Sequence, residues 1–224
     1  MITPKRITLF MGHYGSGKTF ASVNYATYLS DNNLPVDIYD LDIVNPYFRT
    51  KDAIEYLKSK KVDLIVSPFA QTNVDIPAMN SASYKMVDDK SRYAVVDIGG
   101  DDRGALALGR FSEKIMAEND YDCLLVINKF RPETKNLDGI IEIKNEIEIS
   151  SRIKFNGIVN NCNLGLETTE NVVLEGKKFI DGISDKLNLP VKFTCVRYDL
   201  ITDKIKTNIE NILPVTPIKY GDWL

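Results

Sequence analysis

Residues 6–19 read Arg6-Ile7-Thr8-Leu9-Phe10-Met11-Gly12-His13-Tyr14-Gly15-Ser16-Gly17-Lys18-Thr19, an apolar run that passes through a glycine-rich turn into a helical pattern. The turn has the spacing G-x-x-x-x-G-K-T. Glycines let the backbone bend tightly and aim successive N–H groups inward at a polyphosphate, an anion that a helix N-terminus also favours. Lys18 supplies a point charge that reaches the outer phosphates, and Thr19 stands at the spacing that puts a hydroxyl on a bound Mg2+. The flanks agree. Ile7, Leu9 and Met11 alternate with Thr8 and Phe10 as in a short buried strand, while Ala21, Tyr25, Tyr28 and Leu29 recur at helical intervals. Gly12, His13, Tyr14, Gly15, Ser16, Gly17, Lys18, Thr19 and Phe20 are therefore the first candidates for contact with a nucleotide.

A length of 224 residues supports one α/β domain with a sizeable core, and residues 1–224 are expected to form a single nucleotide-binding domain. Acidic residues outnumber basic ones, 31 to 28, for a net charge of −3, which argues against broad electrostatic binding to nucleic acid or to an anionic membrane. No apolar run reaches the ~18 residues of a membrane span, and Met1 to Phe10 is too short and too strand-like for a secretory signal. The expectation is a cytoplasmic protein without a membrane anchor. Cys123, Cys162 and Cys195 lie far apart, form no C-x-x-C pair and each fall in or beside an apolar run, so they read as buried structural thiols.

Along the chain, the turn Asn32 to Pro35 precedes a strand from Val36 to Tyr39 that ends in Asp40-Leu41-Asp42. Asn45-Pro46 breaks the chain, a charged helix runs from Phe48 to Lys60, and Asp63 to Val66 is a third strand closed by Ser67-Pro68. Gln71 to Met79 reads as irregular, with a short helix following to about Lys90. Tyr93 to Val96 is a buried strand ending in Asp97-Ile98-Gly99-Gly100-Asp101-Asp102. Next come a helix over about 103–118, a strand from Cys123 to Ile127, and a long helix over 133–152. Ile158-Val159 leads into Asn160-Asn161-Cys162-Asn163, and a helix covers about 169–187. Val191 to Val196 reads as the last strand and Ile201 to Ile212 as the last helix, with an irregular tail from Leu213 to Leu224. Apolar strands alternating with helices give a mostly parallel twisted sheet with helices on both faces, a three-layer α/β/α arrangement.

Ligands of open α/β sheets sit at the carboxyl ends of the strands, where this chain gathers acids. Magnesium in a phosphate-loop enzyme needs a second anchor besides the threonine, an aspartate at the end of a neighbouring strand, and Asp97 has that context. Gly99-Gly100 would let the backbone approach a terminal phosphate and rearrange when it leaves. Hydrolysis also needs a group that positions water, for which Asp42 and Asp101 are the candidates.

The combination of GHYGSGKT with the strand ends DLD, DIGGDD and GIVNN resembles the MinD/ParA group of P-loop ATPases, which includes the nitrogenase iron protein, the arsenite pump ATPase and the cobyrinic acid amide synthases. The resemblance spans about residues 6–200. It implies that Lys18 and the loop amides hold the phosphates of ATP and that Thr19 binds Mg2+, with Asp97 as the second-sphere magnesium acid. It further implies that Asp42 lies in a first switch that orients water and that Asp101 stands where the iron protein's D-x-x-G-D pattern has a proposed general base. Asn161 matches the asparagine that reads adenine, and the segment from Cys195 to Leu200 resembles the loop that covers the base. A nucleotide-dependent homodimer and a client protein are the implied partners.

His13 is the main departure. The group carries GKGGxGK[ST], whose first lysine crosses an ATP-bridged dimer, and here the only histidine of the chain stands in its place. A neutral imidazole donates one hydrogen bond and lacks the fixed charge. No cysteine lies in DIGGDD to ligate a bridging cluster, and the proline-containing C-terminus does not read as an amphipathic membrane helix. Two alternatives stay open. The loop also matches GxxGSGKT of nickel-insertion GTPases, although Asn128-Lys129-Phe130-Arg131 carries arginine where a guanine-reading acid belongs. The amide synthases of the same group make an ATP-dependent ligase or other small-molecule enzyme the other alternative.

Overall fold

A computed structural model describes residues 2–41, 54–66, 81–100 and 102–217. Asp42, Asp101, the Asn45-Pro46 break, Ser67-Pro68 and the segment from Gln71 to Met79 lie outside the described residues.

The strands are β1 (Ile7–Met11), β2 (Val36–Asp40), β3 (Asp63–Val66), β4 (Tyr93–Asp97), β5 (Tyr121–Ile127), β6 (Gly157–Asn160), β7 (Val191–Arg197) and β8 (Ile212–Val215). The helices are α1 (Lys18–Asp31), α2 (Ile54–Ser59), α3 (Ser81–Asp88), α4 (Asp102–Gly109), α5 (Ser112–Glu118), α6 (Leu137–Ser151), α7 (Glu170–Leu187) and α8 (Asp203–Asn208). The strands form one sheet in the order β3-β2-β4-β1-β5-β6-β7-β8, and every neighbouring pair is parallel. Such a sheet is buried on both faces, which explains why β1, β4 and β5 read as continuous apolar runs.

Side-chain alternation gives the two larger of three apolar clusters among the described residues, the smallest being Val173, Val196, Ile205 and Ile209. Ile7, Leu9 and Met11 face one side and pack with Leu108, Phe111, Ile140 and Ile180 from α4 through α7. Phe10 faces the other, among Ala21, Tyr25 and Leu29 of α1 and Leu57 of α2. Phe10, Tyr25 and Phe193 form an aromatic cluster there, the last two stacked with centroids 5.3 Å apart. Cys123, Cys162 and Cys195 are buried free thiols, as expected, and burial pushes the Cys162 thiol up to about 12.

Local chemistry sets the helix ends. The side chain of Asn136 accepts from Gly139 N at the start of α6, and Thr169 and Thr202 cap α7 and α8 in the same way. Arg152 and Asn188 stop α6 and α7 by turning left-handed.

Four expectations are corrected. The helix expected over 103–118 is two helices. The Phe111 N–H bonds to Leu108 O and Ser112 Oγ to Gly109 O, and the resulting corner drives Phe111 fully into the core. The helix expected over 133–152 begins only at Leu137, behind a 3-10 turn at Pro132–Thr134. The last helix shrinks to Asp203–Asn208 behind another such turn at Tyr198–Leu200. The tail expected to be irregular contributes β8, which pairs with β7. Pro214 lacks an N–H for the ladder and is tolerated because β8 is an edge strand.

Candidate functional site

From β1 the chain crosses to β2 and β3 on one side of the sheet, returns through β4, and continues through β5 to β8 on the other. The loop after β1 lies where the direction reverses, the point at which open α/β sheets form a crevice. Close approach fixes its glycines. Gly12 has φ 149°, and a Cβ there would stand 2.6 Å from Val126 O of β5. Gly17 has φ 85°, and a Cβ would stand 2.2 Å from the amide nitrogen of Asn161. No other residue satisfies both the conformation and the space.

Within the loop, Ser16 N and the Lys18 ammonium both donate to His13 O, each at 3.1 Å. Lys18 is buried although it begins a helix, so its charge is held beside the loop backbone. Thr19 Oγ1 donates to Asp97 Oδ2 at 2.5 Å, while Leu41 N donates to Asp97 O at 2.9 Å. The first turn of α1 and the end of β2 therefore meet at Asp97, one on its carboxylate and the other on its backbone carbonyl, and the residue is 1 % exposed. Gly100 follows closely, since a Cβ there would lie 2.7 Å from Tyr14 N and 2.8 Å from Lys18 Nζ.

Beside the loop opens a cavity of about 250 Å3, walled by Gly15, Ser16, Gly17 and Phe20 on one side and by Asn128, Arg131, Asn161, Leu166, Cys195 and Val215 on others. Its lining is mainly apolar, with amides and guanidinium groups at the edge. Asn161 Nδ2 donates back to Ser16 O at 2.8 Å, and its Oδ1 accepts from Asn163 Nδ2 at 3.3 Å. The asparagine expected to read the base thus braces the loop while lining the cavity. Arg197 clasps Asp199 through both carboxylate oxygens, at 2.6 and 3.0 Å, and donates to Gly165 O and Leu166 O. The Arg197 guanidinium holds the Asp199 carboxyl below the usual carboxylate range. Lys129 turns away from the cavity, pairing with Glu175 and lying over the rings of Phe130 and Phe179 at 5.2 and 5.6 Å.

The sequence matches the family described as the CobQ/CobB/MinD/ParA nucleotide binding domain over residues 7–164. The chain belongs to that family. Within this CobQ/CobB/MinD/ParA member the match takes in the loop, Asp97 and Asn161, whereas Leu166, Cys195, Arg197 and Val215 of the cavity wall lie beyond it. A comparison with curated proteins returned no match. Solved structures share the fold. The FtsY cell division protein of Thermotoga maritima superposes with a TM-score of 0.60 at 17 % identity, covering 87 % of this chain and 62 % of its own. The signal recognition particle receptor FtsY of Elizabethkingia anophelis in complex with GDP gives 0.57 at 17 % identity, with coverages of 88 % and 58 %. Chloroplast FtsY of Physcomitrella patens gives 0.59 at 16 %, with coverages of 86 % and 58 %. The chain spans about three fifths of the length of these FtsY chains.

The structure therefore brings together Gly12 through Phe20, Asp97 and Asn161, while Asp42 and Asp101 lie outside the described residues. His13 points elsewhere. Its Nδ1 is 2.9 Å from Tyr14 O and 3.8 Å from a Glu133 carboxylate oxygen, beside a separate acidic hollow lined also by Glu142 and Glu146. Asn128, Arg131 and Asn163 were not among the expected site residues, whereas Arg197 falls within the Cys195 to Leu200 segment expected to cover the base. The signal for the first three is topological, because they follow β5 and β6, which lie in succession on one side of β1 in the sheet order.

The donor set fits magnesium and a nucleotide. A hydroxyl and a buried carboxylate 2.5 Å apart are hard oxygen ligands of the kind Mg2+ takes, and the turn from β1 into α1 carries the glycines and the lysine that a polyphosphate needs.

Proposed function

We propose that this chain is a Mg2+-dependent ATPase that hydrolyses ATP to ADP and phosphate and works as a nucleotide-driven switch on a partner protein, through an ATP-dependent homodimer, in the cytoplasm. Residues 1–224 act as a single domain in this reading. The observation that carries it is the Thr19–Asp97 hydrogen bond at the mouth of the glycine cradle. Magnesium, when bound, neutralises charge on the phosphates, with Thr19 and Asp97 as the residues that hold it. Lys18 and the loop amides bind the phosphate oxygens, and Asp42 and Asp101 position and deprotonate water.

The switch assignment rests on Gly100. Its position against Tyr14 N and Lys18 Nζ places the β4 loop on two groups a terminal phosphate would use, so the loop's placement depends on whether that phosphate is present. Adenine is assigned to the cavity because the stretch Asn128-Lys129-Phe130-Arg131 offers no carboxylate to accept hydrogen bonds from guanine. Asn161 supplies the amide at the cavity wall.

Calorimetric competition between Mg-ATP and Mg-GTP, paired with sedimentation velocity in a non-hydrolysable ATP analogue, tests this reading. ATP preference and a shift from monomer to dimer are expected. A preference for GTP replaces it with a GTPase of the nickel-insertion type. Phosphate release only on addition of a second small substrate replaces it with a ligase or amide synthase.

A further inference from the structure

The cavity wall carries a cation that the reading above leaves without a task. Arg197 is committed to Asp199 and to two loop carbonyls, and Lys129 to Glu175, but the Arg131 side chain makes no hydrogen bond or ion pair among the described residues. Arg131 lies over the crest of the loop, where Nε and Cδ stand 3.8 and 4.0 Å from the point a Gly15 Cβ would occupy.

The placement is built in. Pro132 restricts the preceding residue to extended backbone, and Arg131 has φ −99° and ψ 140°. Its N–H bonds to Asn128 O at 3.1 Å, and its carbonyl accepts from Thr134 N at 3.2 Å. Thr134 Oγ1 closes the turn onto Asn128 O at 2.6 Å, and Asn128 Oδ1 accepts from Phe130 N at 3.1 Å. A long flexible side chain thus leaves from a fixed base directly above the residues whose amides cradle phosphate.

We propose that Arg131 is a nucleotide-contacting residue that supplies, from within the same chain, a fixed positive charge to the polyphosphate. This rests on the nucleotide-binding reading of the site. A guanidinium presents a planar fork of donors that matches phosphate oxygens, and it keeps its charge at all physiological pH values. Phosphate is chosen over base because the side chain lies against Gly15, on the cradle itself. His13, the loop's other basic side chain with access to solvent, turns toward Glu133 instead.

The test compares wild type with R131Q and R131K, using ATP, ADP and adenosine as probes, the last followed by ligand-observed NMR. R131Q is expected to weaken ATP and ADP by about tenfold while leaving adenosine unchanged, and to flatten the salt dependence of ATP binding. R131K keeps the charge without the fork and should recover part of the loss. An unchanged urea midpoint for R131Q, expected of an exposed side chain without partners, separates the effect from misfolding. Equal ATP affinity in R131Q and wild type overturns the role of Arg131 alone. Equal losses for ATP and adenosine also overturn it, placing the guanidinium on the base. A wild-type chain that binds neither nucleotide overturns both this inference and the reading beneath it.

Discussion

Thr19 and Asp97, 78 residues apart, are joined by a 2.5 Å hydrogen bond that ties the first turn of α1 to the end of β4. The pair links the phosphate cradle to the strand from which the Gly99-Gly100 loop leaves. Asp97→Asn keeps the shape and removes the charge. It should lower Mg2+ affinity in the presence of ATP by about 10–100-fold, the range seen when groups that support a metal ion are changed. Titrating Mg2+ against ATP hydrolysis checks this, and an unshifted midpoint would remove Asp97 from the metal site.

Gly17→Ala puts a methyl group where Asn161 Nδ2 now stands, on a backbone with φ 85°. The left-handed conformation alone costs about 1–3 kcal/mol. Urea denaturation should show at least that loss. In the double variant with Asn161→Ala the steric part disappears and the backbone part persists, so the two losses should be less than additive.

Asn161→Ala alone removes the donor to Ser16 O. A loss of about 1 kcal/mol in the unfolding free energy, read as a lower urea midpoint without nucleotide, is expected, the usual net value of a hydrogen bond. A base-reading asparagine with no bracing role would leave that midpoint unmoved.

Glu118 sets an acid limit. Burial raises its pKa, but hydrogen bonds from Arg6 and Lys90 outweigh burial and hold the carboxyl below its ordinary value. With the folded value depressed, the stabilisation is fully present above the ordinary glutamate range near ~4.3 and is lost as pH falls through the folded value. Glu118→Gln should therefore be less stable than wild type at pH 7 and show a shallower decline on acidification. Parallel curves of stability against pH would rule the pair out as the cause.

Leu213→Ala tests the strand at the far edge. Leu213 is fully buried among the residues packed under α1, and Thr216 N bonds to Asn24 Oδ1 of that helix at 2.9 Å. The substitution should cost about 2–5 kcal/mol in thermal or urea unfolding. A loss under 1 kcal/mol would mean that β8 contributes little to holding the phosphate-loop helix.

The comparison with the sequence turns on which signals are local. β1, β4 and β5 could be read because both faces of a central parallel strand are apolar, and the glycine loop because its spacing has one physical purpose. Ile212–Val215 escaped because four residues with a proline carry little strand signal, and only the neighbouring β7 makes them one. The corner at Phe111 escaped because apolar periodicity runs on through it, and the reason for the break lies in the core. At the site, the loop motif was legible, and of the wall only the segment from Cys195 to Leu200 was. Asn128, Arg131 and Asn163 sit in short turns with no recurrent spacing, and they converge only through sheet order. Asn161 was legible as a site residue, but its bond to Ser16 O could not be read from sequence.

The sheet order has a consequence for the nascent chain. β1 is made first yet lies between β4 and β5, pairing Ile7 with Ala94 on one side and with Tyr121 on the other. A ribosome that has released the chain only through β3 has exposed an apolar central strand with neither neighbour yet available. Such long-range parallel pairing closes slowly. Nucleotide cannot hasten this early stage, since Asp97 emerges only with β4 and Asn161 only after β6, and until β4 and β5 arrive the apolar β1 is open to aggregation.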